Sequence, residues 1–213
     1  MLGPPEDRRT RTPGPVVTTR RVAWRRTDQL AADEHCTLTL RDSGLSLVGT
    51  VLGAEDGVPV RIEYRVLTDP RGFTTAVHVR DLRGFELRTL ALARDAKGAW
   101  TVDGATVRTL RGCSDVDLAC SPSTNTLPIR RLRLGIGASK TIQAAWVRFP
   151  DLAVHKAAQT YTRVDESTYR YQSAAFEAEL VVDDEGLVAE YAGWQRIGVA
   201  IGPDDTEPLD TRR

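Results

Sequence analysis

Apolar and polar residues alternate along most of the chain, and turn-forming residues interrupt the alternation about every ten positions. The segment from His35 to Leu40 alternates, for example, and Asp42-Ser43-Gly44 follows it. Val58 to Leu67 alternates next and runs into the turn-forming stretch from Thr68 to Gly72. Because successive side chains of a strand point to opposite faces, this pattern predicts antiparallel strands with one dry face and one wet face.

Further candidate strands share the same alternation: Gly44 to Leu52, Phe73 to Val79, Glu86 to Ala93, Ala99 to Val102, Thr141 to Phe149, Leu152 to Val164, Tyr169 to Ser173, Ala175 to Val182 and Leu187 to Gln195. Helical signals are few. The alanines between Leu152 and Tyr161 are offset by Pro150 and by the β-branched residues that follow, so we expect a strand there. Ser121 is placed to cap one helical turn with Pro122 at its first position. The predicted fold is all-β and mainly antiparallel, with at most one or two short helical turns.

The two ends of the chain differ in composition from the rest. Residues 1–19 combine Pro, Gly and Arg with little to bury, which predicts a disordered N-terminal arm. Residues 202–213 predict a flexible C-terminal tail for the same reason. Residues 20–201 are expected to form a single β domain, long enough to bury a core without a metal or a disulfide.

Charge and cysteine content narrow the functional classes. The 29 basic and 29 acidic side chains cancel, so no overall field favours nucleic acid or an anionic membrane. Three cysteines cannot pair completely, which favours a reducing compartment. Neither a secretory signal nor an apolar run long enough for a membrane helix is evident, so we expect a cytoplasmic protein without a transmembrane segment.

The most distinctive stretch is CSDVDLACSPSTNTLPIRRLRL, residues 113–134. On a strand, Asp115 and Asp117 would share one face, and two close carboxylates raise the pKa of one of them, as acid–base chemistry requires. Arg130, Arg131 and Arg133 follow on what the alternation predicts to be the next strand. An acidic strand beside a basic one would also form purely structural ion pairs, so both interpretations stay open. Asn125, in the polar loop between them, could contact a ligand with many hydroxyl groups.

The sequence contains no motif for phosphate binding, nucleophilic catalysis or metal binding. The stretch from Gly135 to Thr141 lacks the Gly directly before Lys140 that a phosphate-binding loop needs. Ser121 and Ser123 lack the sequence of a nucleophile elbow, and the three histidines have no metal-ligand spacing. We therefore expect no metal, no cofactor and no catalytic residue that the motifs alone identify.

Aromatic residues with a polar group lie in or beside the predicted strands: Trp24, Tyr64, Trp146, Tyr161, Tyr169, Tyr171, Tyr191 and Trp194. Tyr169 and Tyr171 would share a face, as would Gln159 and Tyr161. Such side chains combine an apolar body with a hydrogen-bonding group, which suits an amphiphile, although most are simply part of a core.

The 113–134 stretch, with AAWVRFPDLAV and the region from QTYTR to FEAELVVDDEGLV, resembles the bacterial putative glycolipid-binding family from about Trp24 to Trp194. The resemblance implies a spiral β-roll, or open incomplete barrel, similar to periplasmic lipoprotein carriers and holding a lipid or glycolipid in a hydrophobic cavity. Family-like positions, which are our candidate ligand-binding residues, are Trp24, Glu34, Asp115, Asp117, Asn125, Arg130, Arg131, Trp146, Tyr161, Tyr169 and Tyr171.

Three functions remain open on this evidence. The first is a binding module whose cavity takes the apolar part of a glycolipid while Asp115, Asp117, Arg130 and Arg131 meet its head group. The second is an enzyme acting on such a lipid, with Asp115 or Asp117 as acid or base and an arginine stabilising an anion. The third is a structural or protein-interaction domain in which the polar stretch only holds the fold together.

Overall fold

The computed structural model describes residues 17–28 and 31–202. Its strands are β1 Thr18–Arg26, β2 Ala32–Arg41, β3 Gly44–Glu55, β4 Val58–Thr68, β5 Thr74–Arg83, β6 Glu86–Arg94, β7 Trp100–Val102, β8 Ala105–Thr106, β9 Asp115–Leu118, β10 Ser139–Val147, β11 Val154–Arg163, β12 Thr168–Ser173, β13 Phe176–Val182, β14 Val188–Tyr191 and β15 Trp194–Gly202. One α-helix, α1, spans Thr126–Leu132, and 3₁₀ turns span Arg108–Leu110 and Ser123–Asn125. Most of the predicted N-terminal arm and C-terminal tail, residues 1–16 and 203–213, lies outside the described residues.

All the strands belong to a single open sheet, in the order β8-β7-β6-β5-β4-β3-β2-β1-β15-β14-β13-β12-β11-β10-β9. Neighbours are antiparallel except β9 and β10, which run parallel. The first and last strands pair near the middle, with Val22 opposite Val199. The sheet does not close into a barrel, which confirms the predicted all-β, open architecture.

One edge of the sheet curls back onto the opposite half. The backbone N–H of Thr74, at the start of β5, donates to the carbonyl oxygen of Ser114 just before β9, at 3.1 Å. The Thr74 hydroxyl accepts from the backbone N–H of Val116 in β9, also at 3.1 Å. Edge strand β9 therefore lies against β5 without joining it in the sheet, and the long sheet forms a spiral roll.

Two apolar clusters fill the roll. The larger draws on β1–β7 and on β9, β10 and their neighbours, and Leu118 and Leu127 belong to it. The smaller is built on β10–β14 around Tyr161, Tyr171 and Leu180, and Ile129 belongs to it. Since Leu127 and Ile129 are two residues apart on α1, the helix lies between the two clusters and joins them.

The prediction of a second strand bearing the arginines is wrong. Arg130 and Arg131 lie on α1, and Arg133 is its left-handed C-terminal residue, with φ 46° and ψ 48°. Every residue from Ser121 to Ile129 is buried, which a strand with one wet face would not produce. A helical turn is present at Ser123–Asn125 as predicted, but Pro122 lies at its cap position instead of Ser121. The Ser121 hydroxyl accepts from the Ser123 N–H at 3.0 Å.

Candidate functional site

An open cleft lies at one end of the roll, beside the turns that join β2 to β3, β4 to β5 and β13 to β14. Its volume is about 1110 Å³. Apolar side chains from both halves of the sheet and from α1 line it, among them Leu40, Leu45, Leu127 and Val182. Six arginines line it as well: Arg41, Arg71, Arg130, Arg131, Arg133 and Arg163. A concave surface that combines apolar walls with a few polar groups is typical of ligand sites.

Two glycine turns hold the end of α1 at the cleft. Gly72, with φ 84°, lies so close to the helix that an added Cβ would be 3.2 Å from the Cβ of Arg131. On the other side Gly186, with φ 78°, would place a Cβ 3.1 Å from Cγ2 of Ile129. Both positions combine a left-handed backbone with a close approach, which favours glycine. The turns thus fix the helix residues from which the arginines project.

Arg131 is held in place by an acidic partner and an aromatic ring. Its guanidinium donates two hydrogen bonds to the Asp115 carboxylate on β9, Nε to Oδ1 at 3.3 Å and Nη2 to Oδ2. The guanidinium also lies over the ring of Phe73, 5.0 Å from its centroid. The side chains are 1% exposed for Asp115 and 12% exposed for Arg131. This is a closed, buried ion pair, so neither group is free to act on a ligand.

Arg130 has a different environment. Its Nη1 donates to the backbone carbonyl oxygen of Glu185 in the β13–β14 turn. The Glu185 carboxylate is paired instead with Arg20 on β1. Burial lowers the pKa of Arg130, and the nearby cations Arg133 and Arg20 lower it further, against the opposing effect of Asp183. No carboxylate among the described residues forms an ion pair with Arg130.

Glu34 is the centre of a buried polar cluster inside the roll. Its Oε1 accepts hydrogen bonds from the hydroxyl groups of Tyr64 and, at 2.7 Å, of Ser121. The Tyr64 and Ser123 hydroxyls are 2.7 Å apart. Burial raises the pKa of Glu34 to about 7, although the hydrogen bonds oppose the shift. Gly49 gives the Tyr64 ring room to reach Glu34, since a Cβ there would lie 2.2 Å from the ring.

Asp117 belongs to a second polar cluster within the roll. Nε2 of Gln159 on β11 donates to its carboxylate. The Tyr161 hydroxyl donates to Oδ1 of Asn125 at 2.9 Å, which links β11 to the 3₁₀ turn. Withdrawal from water raises the pKa of Asp117 to about 6, against the effect of hydrogen bonds from Gln159 and Thr124. Asp115 and Asp117 therefore lie on one strand, as predicted, but they bind different partners.

The aromatic candidates are distributed over the fold. Trp24 is buried in the larger cluster, and its indole N–H donates to the carbonyl oxygen of Val188 at 2.8 Å. Tyr171 packs edge to face against Tyr161, with ring centroids 5.2 Å apart. Trp146 contacts His155, 6.1 Å away between centroids. Tyr169 is the one candidate aromatic residue that lines the cleft.

The structure thus brings together only part of the predicted set. Arg130, Arg131 and Tyr169 line the cleft, whereas the remaining eight candidates lie in the interior clusters, the cores or, for Trp146, beside His155. Sequence reasoning missed the roles of Ser121, Ser123 and Glu185 as partners in these networks. Glu185 meets Arg20 across 165 positions, a separation that no local pattern signals.

These arrangements do not favour the enzyme alternative. Asp115 and Arg131 neutralise each other, and the other two candidate carboxyl groups, Glu34 and Asp117, are hydrogen-bonded inside the roll. Within residues 17–28 and 31–202 there is no group of three or more His, Cys, Asp or Glu side chains suited to a metal ion. In the same part of the chain no helix has the length and apolarity needed to cross a membrane.

The fold and the cleft define a class of protein: an open antiparallel β-roll with a depression at one end that is lined by apolar, basic and acidic side chains. The chain belongs to the family described as "Putative glycolipid-binding", whose model matches residues 21–196. It is also similar to the crystal structure of a DUF1089 family protein from Pseudomonas aeruginosa, with 33% sequence identity and a TM-score of 0.68. That match covers 76% of this chain and 89% of the other. No curated protein matches the chain.

Proposed function

We propose that this protein binds a glycolipid or a similar amphiphile in the end cleft. The observation that carries the proposal is the composition of the cleft, where apolar side chains such as Leu40, Leu45 and Val182 lie beside arginines. An amphiphile needs both surfaces at once, because its acyl part gains from leaving water while its head group needs hydrogen-bond donors. Membership of the family supports the same ligand class.

The proposal differs from the expectation of a wide internal cavity. The middle of the roll is filled by buried side chains, including Leu118 on β9 and Leu127 on α1. The acyl part therefore lies in the cleft mouth and along its apolar walls, and the head group lies against Arg130. Asp115 and Asp117, which the sequence placed at the head group, support the roll from within.

Ile136 offers a direct test because it lines the cleft with a side chain that is 61% exposed. We expect the protein to float with phosphatidylcholine vesicles that contain galactosylceramide or monogalactosyldiacylglycerol, and less with plain phosphatidylcholine. Ile136→Asp should weaken this binding about tenfold, since burying such a side chain is worth about 1.5–3 kcal/mol. Because Ile136 is exposed, the substitution should leave the melting temperature almost unchanged.

Ile197 is the matched control, an isoleucine that is 53% exposed on β15 and does not line the cleft. Ile197→Asp introduces the same charge and should bind the vesicles as the wild type does. Equal losses in both variants would show that the cleft has no special role. Absence of binding to either lipid, with no lipid recovered from the purified protein, would rule the proposed function out.

A further inference from the structure

The arginines around the cleft differ in what neutralises them. Arg131 is paired with Asp115, and Arg71 is paired with Asp69. Arg163 donates to the backbone carbonyl oxygens of Leu134, Asp165 and Glu166 and so braces the surrounding loops (Arg163 Nη1 to Leu134 O, 3.0 Å). These three guanidinium groups already have partners that account for their positions.

Arg130 and Arg133 have no such partner. Arg130 bonds one backbone carbonyl oxygen, that of Glu185, and no ion pair is seen for it among the described residues. Arg133 is exposed in the left-handed position that ends α1, and within that same part of the chain its side chain forms no hydrogen bond or ion pair. Both side chains line the cleft. The cleft therefore contains two adjacent guanidinium groups with free donors.

Nearby acidic groups offset this positive charge only in part. The carboxylates of Asp183 and Glu185 in the β13–β14 turn are paired with Arg196 and Arg20. Asp184 and Glu166 also line the cleft, but both are exposed, so water and salt screen their charge. The C-terminal end of α1 adds only a weak negative potential at Arg130 and Arg133, because the helix has seven residues. A partly buried guanidinium with one neutral acceptor still has donors to satisfy.

From this geometry, and resting on the proposed function, we infer that the head group of the bound glycolipid carries a tetrahedral oxyanion, a sulfate or phosphate ester, which Arg130 and Arg133 grip together. Guanidinium groups match such anions well because their planar donors meet two oxygens at once. A tetrahedral oxyanion offers three outer oxygens, enough for two guanidinium groups, whereas a carboxylate offers two. Arg130 would make the inner contact and Arg133 the outer one.

A pair of lipids that differ by one sulfate tests the inference. Galactosylceramide and its 3-O-sulfated form, each in phosphatidylcholine vesicles, present the same acyl chains and sugar. We expect the wild-type protein to bind the sulfated lipid at least about tenfold more tightly, because hydrogen bonds to a charged group are stronger than those to a neutral one. Arg130→Gln and Arg133→Gln should each weaken binding to the sulfated lipid much more than binding to unsulfated galactosylceramide, and so remove most of that preference.

Arg65 supplies the control, because it is an exposed arginine of β4 outside the cleft, and Arg65→Gln removes the same charge. This variant should retain the full preference for the sulfated lipid. Equal loss of preference in Arg65→Gln would mean that general surface charge, not the cleft, attracts the lipid, and would overturn the inference. Because Arg133 is exposed, its variant remains informative even if Arg130→Gln fails to fold.

The remaining outcomes separate the two proposals. If the wild type binds both lipids equally, the oxyanion inference is wrong while the proposed function stands. If neither lipid binds, the proposed function fails first. Inorganic sulfate or phosphate at millimolar concentration forms a further arm. If either ion alone raises the melting temperature as much as the sulfated lipid does, in an Arg130-dependent way, the site takes a free anion and the lipid assignment is overturned.

Discussion

The interior of the roll and the cleft at its end both contain polar side chains from residues 113–134, but these side chains differ in their hydrogen-bond partners. In the interior, Ser121 and Ser123 bond to Oε1 of Glu34 and to the Tyr64 hydroxyl, and Asn125 accepts from Tyr161, while Oε2 of Glu34 is buried without a hydrogen-bond partner among the described residues. At the cleft, Arg130 and Arg133 keep donors without acidic partners among the described residues. Polar side chains that bond to one another inside a protein help to specify its fold, whereas polar side chains without partners at a concave surface indicate a ligand site.

Arg131 and Arg130 show the contrast most sharply because they are neighbours on α1. Arg131 forms an ion pair with Asp115, whereas Arg130 lies at the β13–β14 turn and donates only to the backbone carbonyl group of Glu185. The register of a single helical turn therefore decides which arginine supports the structure and which meets the cleft. Substitutions in the interior should therefore change stability, and substitutions in the cleft should change binding.

The largest effect is expected at the buried ion pair. Asp115→Asn would leave the Arg131 guanidinium, 12% exposed, without its charged partner. Breaking a buried pair in this way costs about 3–5 kcal/mol, so the free energy of unfolding measured with urea should fall by that amount. Binding of galactosylceramide vesicles, tested below the unfolding transition, should persist because Asp115 does not line the cleft.

Asp33 provides the comparison for that measurement. Its carboxylate accepts two hydrogen bonds from Arg25, yet both side chains are about half exposed, at 53% and 55%. Asp33→Asn should lower the free energy of unfolding by less than about 1 kcal/mol, as exposed pairs usually do. Similar losses at Asp115 and Asp33 would contradict the view that the interior pair holds the roll together.

The next effect concerns pH and Glu34. Burial raises the pKa of this carboxyl group from 4.5 to about 7, so the group stays protonated to a higher pH in the folded state than in the unfolded state. Its stabilising contribution is complete below pH 4.5 and is lost as the pH rises through 7. In Glu34→Gln that loss is absent. The free energy of unfolding of the variant, relative to wild type, should therefore increase by about 3 kcal/mol between pH 4.5 and 8.

An exposed glutamate should lack this behaviour. Glu190 on β14 is exposed, so Glu190→Gln should give a nearly constant difference from wild type over the same range. The comparison requires urea titrations of both variants at several pH values. If the Glu34→Gln difference does not change with pH, Glu34 is ionised in the folded protein at neutral pH, and burial does not raise its pKa as described.

Much of the fold was predictable because alternation is a local signal. The strands around His35, Val58 and Tyr169 follow directly from it, and so does their antiparallel pairing, whereas the open form of the sheet was expected from the family resemblance. The α1 helix was not predictable, because residues from Arg130 to Leu134 also alternate between polar and apolar types. Only the burial of every residue from Ser121 to Ile129 excludes a strand there. Tertiary packing overrides local preference for such short elements.

The candidate site was less predictable than the fold. The sequence identified Arg130 and Arg131 as polar side chains on the 113–134 stretch, and Tyr169 as an aromatic candidate. It could not tell that Asp115 closes on Arg131 while Arg130 stays open, because that depends on the helical register. The cleft itself forms from turns distant in sequence, such as Asp69–Gly72 and Asp183–Gly186. Nothing in the local sequence indicates that these turns lie close together in the fold.

The central claim is that the ligand occupies the end cleft and leaves the interior clusters untouched. Amide hydrogen exchange with and without phosphatidylcholine vesicles containing sulfated galactosylceramide tests it directly. We predict slower exchange at the turns around Gly72 and Gly186 and at the end of α1, with no change around Glu34 or Asp117. Slower exchange confined to the strands of the interior clusters, or no difference at those turns, would contradict the account.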